Sequence, residues 1–247
     1  MKNKLTIGII GYGRFGKLWA SCLASIGTVS VYDKKRLPQK LPPHVKPASL
    51  VQVTSADILF LLVPISQMES CCVQIAPLLK KDTIVVDACS VKLYPVKIMK
   101  KILAYNQTLI ATHPLFGPDS NKNGIKGKKI VVSMLRASDK QRGLIESMLK
   151  TLGLIVIHAT PRQHDKAMAK SQALVHLVGR GLEPLHLKQQ LISTPDYESL
   201  LTMQAMVQND SWQLFFDMQN YNPYTKVIRK KIINQLLILE KQIASHV

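Results

Sequence analysis

Three short stretches carry residue types whose spacing could do chemistry. Gly11-Tyr-Gly13-Arg-Phe-Gly16 has the form G-x-G-x-x-G, and Asp33 follows 17 residues after its last glycine. Asp87-Ala-Cys-Ser90-Val-Lys92 offers a hydroxyl, and Thr112-His113-Pro-Leu-Phe-Gly-Pro118 an imidazole. A serine and a histidine on neighbouring strand ends would make an acid–base pair, whereas a histidine taken alone is as often structural. Between a strand and a helix, the glycine spacing would cradle phosphate. Gly11 permits the tight turn, Gly13 lets backbone approach a pyrophosphate, and Gly16 lets the helix pack on the strand. Free N–H groups and the positive end of the helix dipole then face the phosphates. Further along, His164, Met168, Gln172, His176 and Arg180 recur four apart. Such a stripe is a helix's solvent face by default, or the lining for a polar acid if it faces a cleft.

The elements that must position these residues are legible in the hydrophobic pattern. Leu5 to Ile10 is a short β-branched run ending at Gly11, and Phe15, Leu18, Trp19, Cys22, Leu23 and Ile26 share one helical face that Gly27 stops. Further strands are expected at Val29–Tyr32, Ile58–Val63, Ile84–Val86, Leu109–Ala111, Ile130–Val132 and Leu154–Ile157. A proline-rich loop is expected from Leu37 to Pro47, and Ser66-Gln-Met-Glu69 has the form of a capping box opening a helix. Strands alternating with helices predict an α/β fold, a doubly wound and mostly parallel Rossmann sheet. Gly11, Asp33, Pro64, Ser90 and His113 then fall at or just past carboxyl ends of strands, where such sheets bind ligands. The stretch from His113 to Gly127 reads as a long loop, of a length uncommon unless it binds something. After Thr160 no strand pattern recurs. Thr160-Pro-Arg-Gln163 opens a helix-like stretch running to about Glu183, and helices restart at Pro195, Ser211 and Tyr224. The expected division is residues 1–160, a dinucleotide-binding domain, and 161–247, an all-α substrate-binding and dimerisation domain.

Asp33 would accept hydrogen bonds from the adenosine ribose and repel a 2′-phosphate, which favours NAD; Lys34, Lys35 and Arg36 beyond it keep NADP open. With Gly11, Gly13, Arg14, Phe15 and Gly16 at the helix start and Val63 and Pro64 at the third strand's end, these form the expected cofactor set. Lys and Arg total 33 against 15 acidic residues, a net +18. The excess sits mainly before Thr160 and attracts anions generally. Its lysine pairs (Lys34-Lys35, Lys80-Lys81, Lys100-Lys101, Lys128-Lys129) lack aromatic interleaving, so the charge reads as a solvated surface and nucleic acid is not the expected partner. The four scattered cysteines have neither disulfide nor zinc spacing, and no apolar run is long enough to span a membrane. A soluble, cytoplasmic chain without a metal site is expected.

Together these stretches resemble the prephenate/arogenate dehydrogenases, and most of all the short plant-type arogenate dehydrogenases. The matching residues are Gly11–Gly16, Asp87–Lys92, Thr112–Gly124, His164-Asp165-Lys166, Ser171–Arg180, Tyr197–Leu201 and Asn209–Tyr221, in order along nearly the whole chain. The resemblance implies NAD(P)-dependent oxidative decarboxylation in tyrosine biosynthesis, with His113 as the base for the ring C4 hydroxyl and Ser90 orienting both. It implies substrate contacts from Gln172, His176 and Thr194. Many bacterial members use an arginine of the helical domain for the side-chain carboxylate, but no arginine stands between Arg180 and Arg229 here. Asp210 matches the position where an acid accompanies arogenate preference. The physical reason is that a carboxylate pairs with arogenate's ammonium and meets no cation on prephenate's keto-acid side chain. Asp210 as the mere cap of the helix near Ser211 is the competing reading.

The runner-up within the family is a prephenate-preferring enzyme. More remote are a 3-hydroxyacid dehydrogenase using Lys166 or Lys170, which leaves the His113 loop unexplained, and a non-catalytic nucleotide- or nucleic-acid-binding protein. Leu236, Leu237, Leu239 and Ile243 suggest that the small helical domain packs against a twin, and the family resemblance implies a homodimer.

Overall fold

The computed structural model describes residues 5–121 and 124–246. Lys122 and Asn123, within the stretch running from Thr112 to Gly124, lie outside the described residues. The chain divides into two compact units, Met1–Pro161 and Arg162–Val247.

In the first unit β1 (Thr6–Ile10), α1 (Arg14–Leu23), β2 (Thr28–Tyr32), β3 (Val45–Pro47), α2 (Leu50–Thr54), β4 (Ile58–Leu61), α3 (Met68–Ile75), β5 (Ile84–Asp87) and α4 (Leu93–Ile102) alternate. They are followed by β6 (Thr108–Pro114), β7 (Lys129–Arg136), α5 (Asp139–Thr151) and β8 (Ile155–His158). One eight-stranded sheet results, in the order β3-β2-β1-β4-β5-β6-β7-β8. Every neighbouring pair is parallel except β6 and β7. The first six strands have the doubly wound order 3-2-1-4-5-6, whose order reverses between β1 and β4, the place where such sheets bind dinucleotides. β4 and β5 are buried at every position, the continuous apolar reading of strands covered on both faces.

Two expectations are corrected. The proline-rich segment contains β3, a three-residue edge strand paired with β2 through Val29↔Val45 and Val31↔Pro47. Pro47 is tolerated because an edge strand has a side with no ladder to donate to, so the prolines concealed the strand. Ser66 is not the N-cap of the helix that follows. A 3-10 turn over Ile65–Gln67 comes first, closed by the Gln67 N–H donating to the Pro64 carbonyl at 2.9 Å, and α3 begins at Met68. Pro64 at the N-cap, with the tight i+3 bond that follows it, displaces the cap the sequence suggested.

The glycines behave as the spacing requires. Gly11 has φ of +102°, and a Cβ there would sit 2.5 Å from the Leu62 carbonyl oxygen. A Cβ on Gly16 would sit 2.2 Å from the Gly11 carbonyl oxygen, so α1 can lie against the loop only without a side chain there. Trp19, fully buried one turn along, stacks on Phe15 at 5.8 Å and meets Phe60 edge-on and Phe116 at a tilt.

The second unit is helical: α6 (Pro161–Lys170), whose first residue closes the first unit, α7 (Gln172–Leu182), α8 (Pro195–Gln208), α9 (Trp212–Tyr221) and α10 (Thr225–Ala244). The helix-like stretch expected to about Glu183 is two helices, α6 and α7. Ser171 leaves helical geometry (φ −119°, ψ −89°) while its hydroxyl donates to the Ala167 carbonyl. A Cβ on Gly179 would meet Val207 at 3.1 Å, so the glycine brings α7 and α8 close. Buried Gln219 and Asn222 donate to the Ala173 and Asp165 carbonyls, tying the end of α9 to α7 and α6.

Gly16→Ala should cost at least about 2 kcal/mol in denaturant unfolding, because backbone must move to admit the methyl. Gly13→Ala, where a Cβ meets nothing within 4 Å, should cost under about 1 kcal/mol, the size of a helix-cap change. Equal costs would refute the steric account.

Candidate active site

The two candidate chemical residues of the sheet sit on neighbouring strands. Asp87 of β5 pairs in register with Ala111 of β6, so Ser90 lies three residues beyond that level and His113 two. β6 runs on to Pro114 because β7 pairs with it through His113↔Val131 and Pro114↔Ile130, so His113 is a strand residue, 4% exposed, rather than a loop residue.

A buried lysine joins these two strand ends. The Lys92 side chain has no exposed surface, and its Nζ donates to the Asp87 carboxylate and, at 2.5 Å, to the Thr112 carbonyl. The Thr112 hydroxyl donates back to the Asp87 carbonyl at 2.8 Å, and the Cys89 N–H donates to Asp87 Oδ1 at 3.0 Å. The turn that carries Ser90 is thus closed on Asp87 and tied to the residue before His113. Burial pushes the Asp87 carboxyl up, against the pull of the Lys92 ammonium beside it. Sequence reasoning gave neither Lys92 nor Asp87 a role; among so many surface lysines, nothing marks the one that is buried.

The stretch after His113 is anchored rather than loose. Phe116 is 8% exposed and lies against Trp19 and Phe15. The Leu115 N–H donates to the Lys129 carbonyl. Arg14, at the start of α1, donates from one terminal nitrogen to both oxygens of Asp119 at 2.7 Å.

The residues present fit a dinucleotide. Gly13 is exposed at the α1 N-terminus with open space where a side chain would stand, and the N-cap carries no side-chain hydrogen bond. Asp33 directly follows β2, accepting from the Tyr12 N–H at 2.6 Å and the Lys35 N–H at 2.7 Å. It therefore props the glycine turn while its carboxylate, with further lone pairs, can still accept from a ribose. Val63 and Pro64 follow β4 on the other side of the topological switch, and Arg14 and Phe15 open α1.

In the second unit the stripe of five residues spaced four apart is no solvent face. His164, His176 and Arg180 are buried and Met168 and Gln172 half-buried, with the break at Ser171 dividing the stripe between α6 and α7. His164 Nδ1 lies 2.8 Å from Asp165 Oδ1. Gln172 Oε1, His176 Nδ1 and Arg180 Nε are buried without a hydrogen-bond partner. His176 Nε2 lies 3.7 Å from Asp210 Oδ2. Asp210 does not cap α9; the Ser211 hydroxyl does, accepting from the Leu214 N–H at 3.1 Å. Thr194 caps α8 by accepting from the Tyr197 N–H and is exposed. Burial, with the Arg180 guanidinium adding to it, lowers the His176 pKa to about 4.

Two measurements check this geometry. Lys92→Met leaves Asp87 buried without its cation and should lower stability by about 3–5 kcal/mol in urea unfolding; a cost near zero would show the clamp to be idle. The unfolded His176 imidazole titrates near 6.5 and the folded one at about 4, so the unfolded state binds more protons between those values. Its contribution to stability is complete above pH 6.5 and disappears as pH falls through 4. Unfolding followed against pH should show roughly 3 kcal/mol lost in that window, and His176→Gln should not lose it.

Known proteins share this plan. Residues 41–158 match the nucleotide-binding domain of prephenate dehydrogenase, and residues 181–247 match the TYRAAT1-like C-terminal domain. Arogenate dehydrogenase 1, chloroplastic, of Arabidopsis thaliana is 29% identical over 233 residues, covering 90% of this chain and 36% of that protein. A probable arogenate/prephenate dehydrogenase of Methanocaldococcus jannaschii is 28% identical over 255 residues, covering 95% of this chain and 56% of that protein. The chain thus spans between about a third and somewhat over half of these relatives' lengths. The fold is that of a prephenate dehydrogenase from A. aeolicus solved with hydroxyphenyl propionate and NAD+ (TM-score 0.74, 19% identity, 98% of this chain and 91% of that one). Residues 41–158 are thus similar to the nucleotide-binding domain of the prephenate dehydrogenases, and nearly the whole chain is similar to plant and archaeal arogenate/prephenate dehydrogenases.

Proposed function

We propose that the protein is an NAD(P)-dependent dehydrogenase that oxidatively decarboxylates arogenate to tyrosine. The observation that carries the reading is the buried Lys92 bridge, which ties the turn bearing Ser90 to the strand bearing His113. A bound nicotinamide supplies the hydride acceptor for ring C4. The chain's own groups do the rest. His113 accepts the C4 hydroxyl proton, and Ser90 orients that hydroxyl and the imidazole. Departure of the ring carboxylate as carbon dioxide leaves its bonding pair in an aromatic ring, so neither a metal nor a covalent nucleophile is required of the protein. Gly11, Gly13, Arg14, Phe15, Gly16, Asp33, Val63 and Pro64 hold the dinucleotide. NAD is the proposed preference because Asp33 would repel a 2′-phosphate.

The half-buried Gln172 amide and the His176 ring offer polar atoms without partners to the substrate's hydroxyl and carboxylate. Thr194 contributes its hydroxyl hydrogen, its oxygen being engaged at the α8 cap. Asp210, with its side chain 30% exposed, receives the side-chain ammonium. Prephenate carries a keto group there and gains nothing from that carboxylate. The exposed Leu236, Leu237, Leu239 and Ile243 of α10 support a homodimer. The four free cysteines suit a reducing compartment, and we place the protein in the cytoplasm. No helix among the described residues is long and apolar enough to cross a membrane.

Steady-state kcat/KM with arogenate and with prephenate, each with NAD and NADP, tests the reading. Arogenate should exceed prephenate by tenfold or more, the worth of about one charge-assisted hydrogen bond, and Asp210→Asn should close most of that gap. His113→Asn should abolish turnover while NAD binding persists. Faster prephenate turnover by the unaltered enzyme would refute the substrate, and an active His113→Asn would refute the base.

A further inference from the structure

Arg180 is buried to 6% exposure on the last turn of α7, and its interactions converge on one short turn. One terminal nitrogen donates to the Asp210 backbone carbonyl, and the other donates to Glu183 Oε2 at 3.1 Å. The flat guanidinium lies 4.4 Å from the centre of the Trp212 ring. Asp210 and Trp212 flank Ser211, the cap of α9, so one side chain of α7 grips the α8–α9 turn by a carbonyl and by an aromatic face two residues on. The carboxylate of that same Asp210 is the group 3.7 Å from His176, one helical turn before Arg180.

We propose that Arg180 is a positioning residue for substrate selectivity: it clamps the Asp210 turn so that the carboxylate stands beside His176 as a receptor for an α-ammonium, and it does not itself bind a substrate carboxylate. The inference rests on the arogenate reading above. Both terminal nitrogens are engaged and one face is covered by Trp212, so no bidentate fork is left for a substrate carboxylate; only the buried Nε, which has no hydrogen-bond partner, is unengaged. A planar fork held on three sides is also what fixes a backbone carbonyl in one place; an ammonium would hold it as a point charge without the stacked face. The cation has a second effect. Together with burial it opposes protonation of His176, so no imidazolium competes with the substrate for the Asp210 carboxylate.

The test is kcat/KM for arogenate and prephenate in Arg180→Met, Arg180→Lys and Trp212→Leu, with thermal unfolding and NAD binding followed in each. Arg180→Met should lower arogenate kcat/KM by about tenfold or more, mainly through KM, and change prephenate by less than about threefold. Arg180→Lys should restore part of the selectivity, since it can still donate to the carbonyl. Trp212→Leu, which keeps the arginine, should move the ratio the same way by a smaller factor and carries the test if Arg180→Met fails to fold. Equal losses for both substrates would overturn the proposal, showing an arginine that binds a shared carboxylate or merely supports the fold. An unchanged ratio would overturn it as well while leaving the arogenate reading standing. Turnover of neither substrate by the unaltered protein would defeat that reading, and the proposal with it.

Discussion

An ammonium with no exposed surface must be neutralised and hydrogen-bonded where it lies, or it costs several kcal/mol in lost hydration. Lys92 meets that demand with the Asp87 carboxylate and the Thr112 carbonyl, which belong to adjacent strands of the sheet. The requirement is reciprocal, since Asp87 is equally buried. Neither group can relax toward water, so the turn from Asp87 to Lys92 has one arrangement and its position relative to β6 is fixed. Apolar packing alone would hold the strands together yet leave the Ser90 turn free to adopt other shapes. The ion pair adds little net stability compared with a hydrophobic pair of similar size; what it supplies here is a defined place for a hydroxyl beside the strand end that carries an imidazole.

Much of this was legible in the sequence, for a physical reason: the sheet's strands are short runs buried on both faces, and such runs stand out against their turns. The glycine spacing was equally plain, because Gly11 and Gly16 answer to sterics that only one residue type satisfies. Legibility failed where tertiary context decided. β3 is three residues long with prolines beside and within it, and is a strand only because β2 offers an edge. The Ser66 box was a local signal overruled by Pro64 and the 3-10 turn after it. Lys92 went unmarked and Arg180 was seen only as a member of a stripe, since periodicity says which face a residue takes and not whether a charged one has a partner waiting there. The stripe from His164 to Arg180 was visible as spacing, yet its burial and its break at Ser171 were not.

The two units differ in charge. The first is strongly basic and ends its glycine turn on a helix N-terminus, an arrangement that draws anions. The second is nearly balanced, and its candidate contact residues set one carboxylate, Asp210, beside a histidine held neutral. A receptor for a cation has to keep other cations off the same carboxylate. The His176 ring stays uncharged at neutral pH, and Arg180 reaches the Asp210 backbone carbonyl.

Magnitudes also decide what holds the stretch after His113. Arg14 and Asp119 form a well-aligned pair, but their side chains are 49% and 32% exposed, and pairs so open to water contribute about 0–1 kcal/mol. Phe116, nearly buried against Trp19 and Phe15, contributes about 2–3 kcal/mol by removing its ring from water. The ring is therefore the anchor and the ion pair a minor addition.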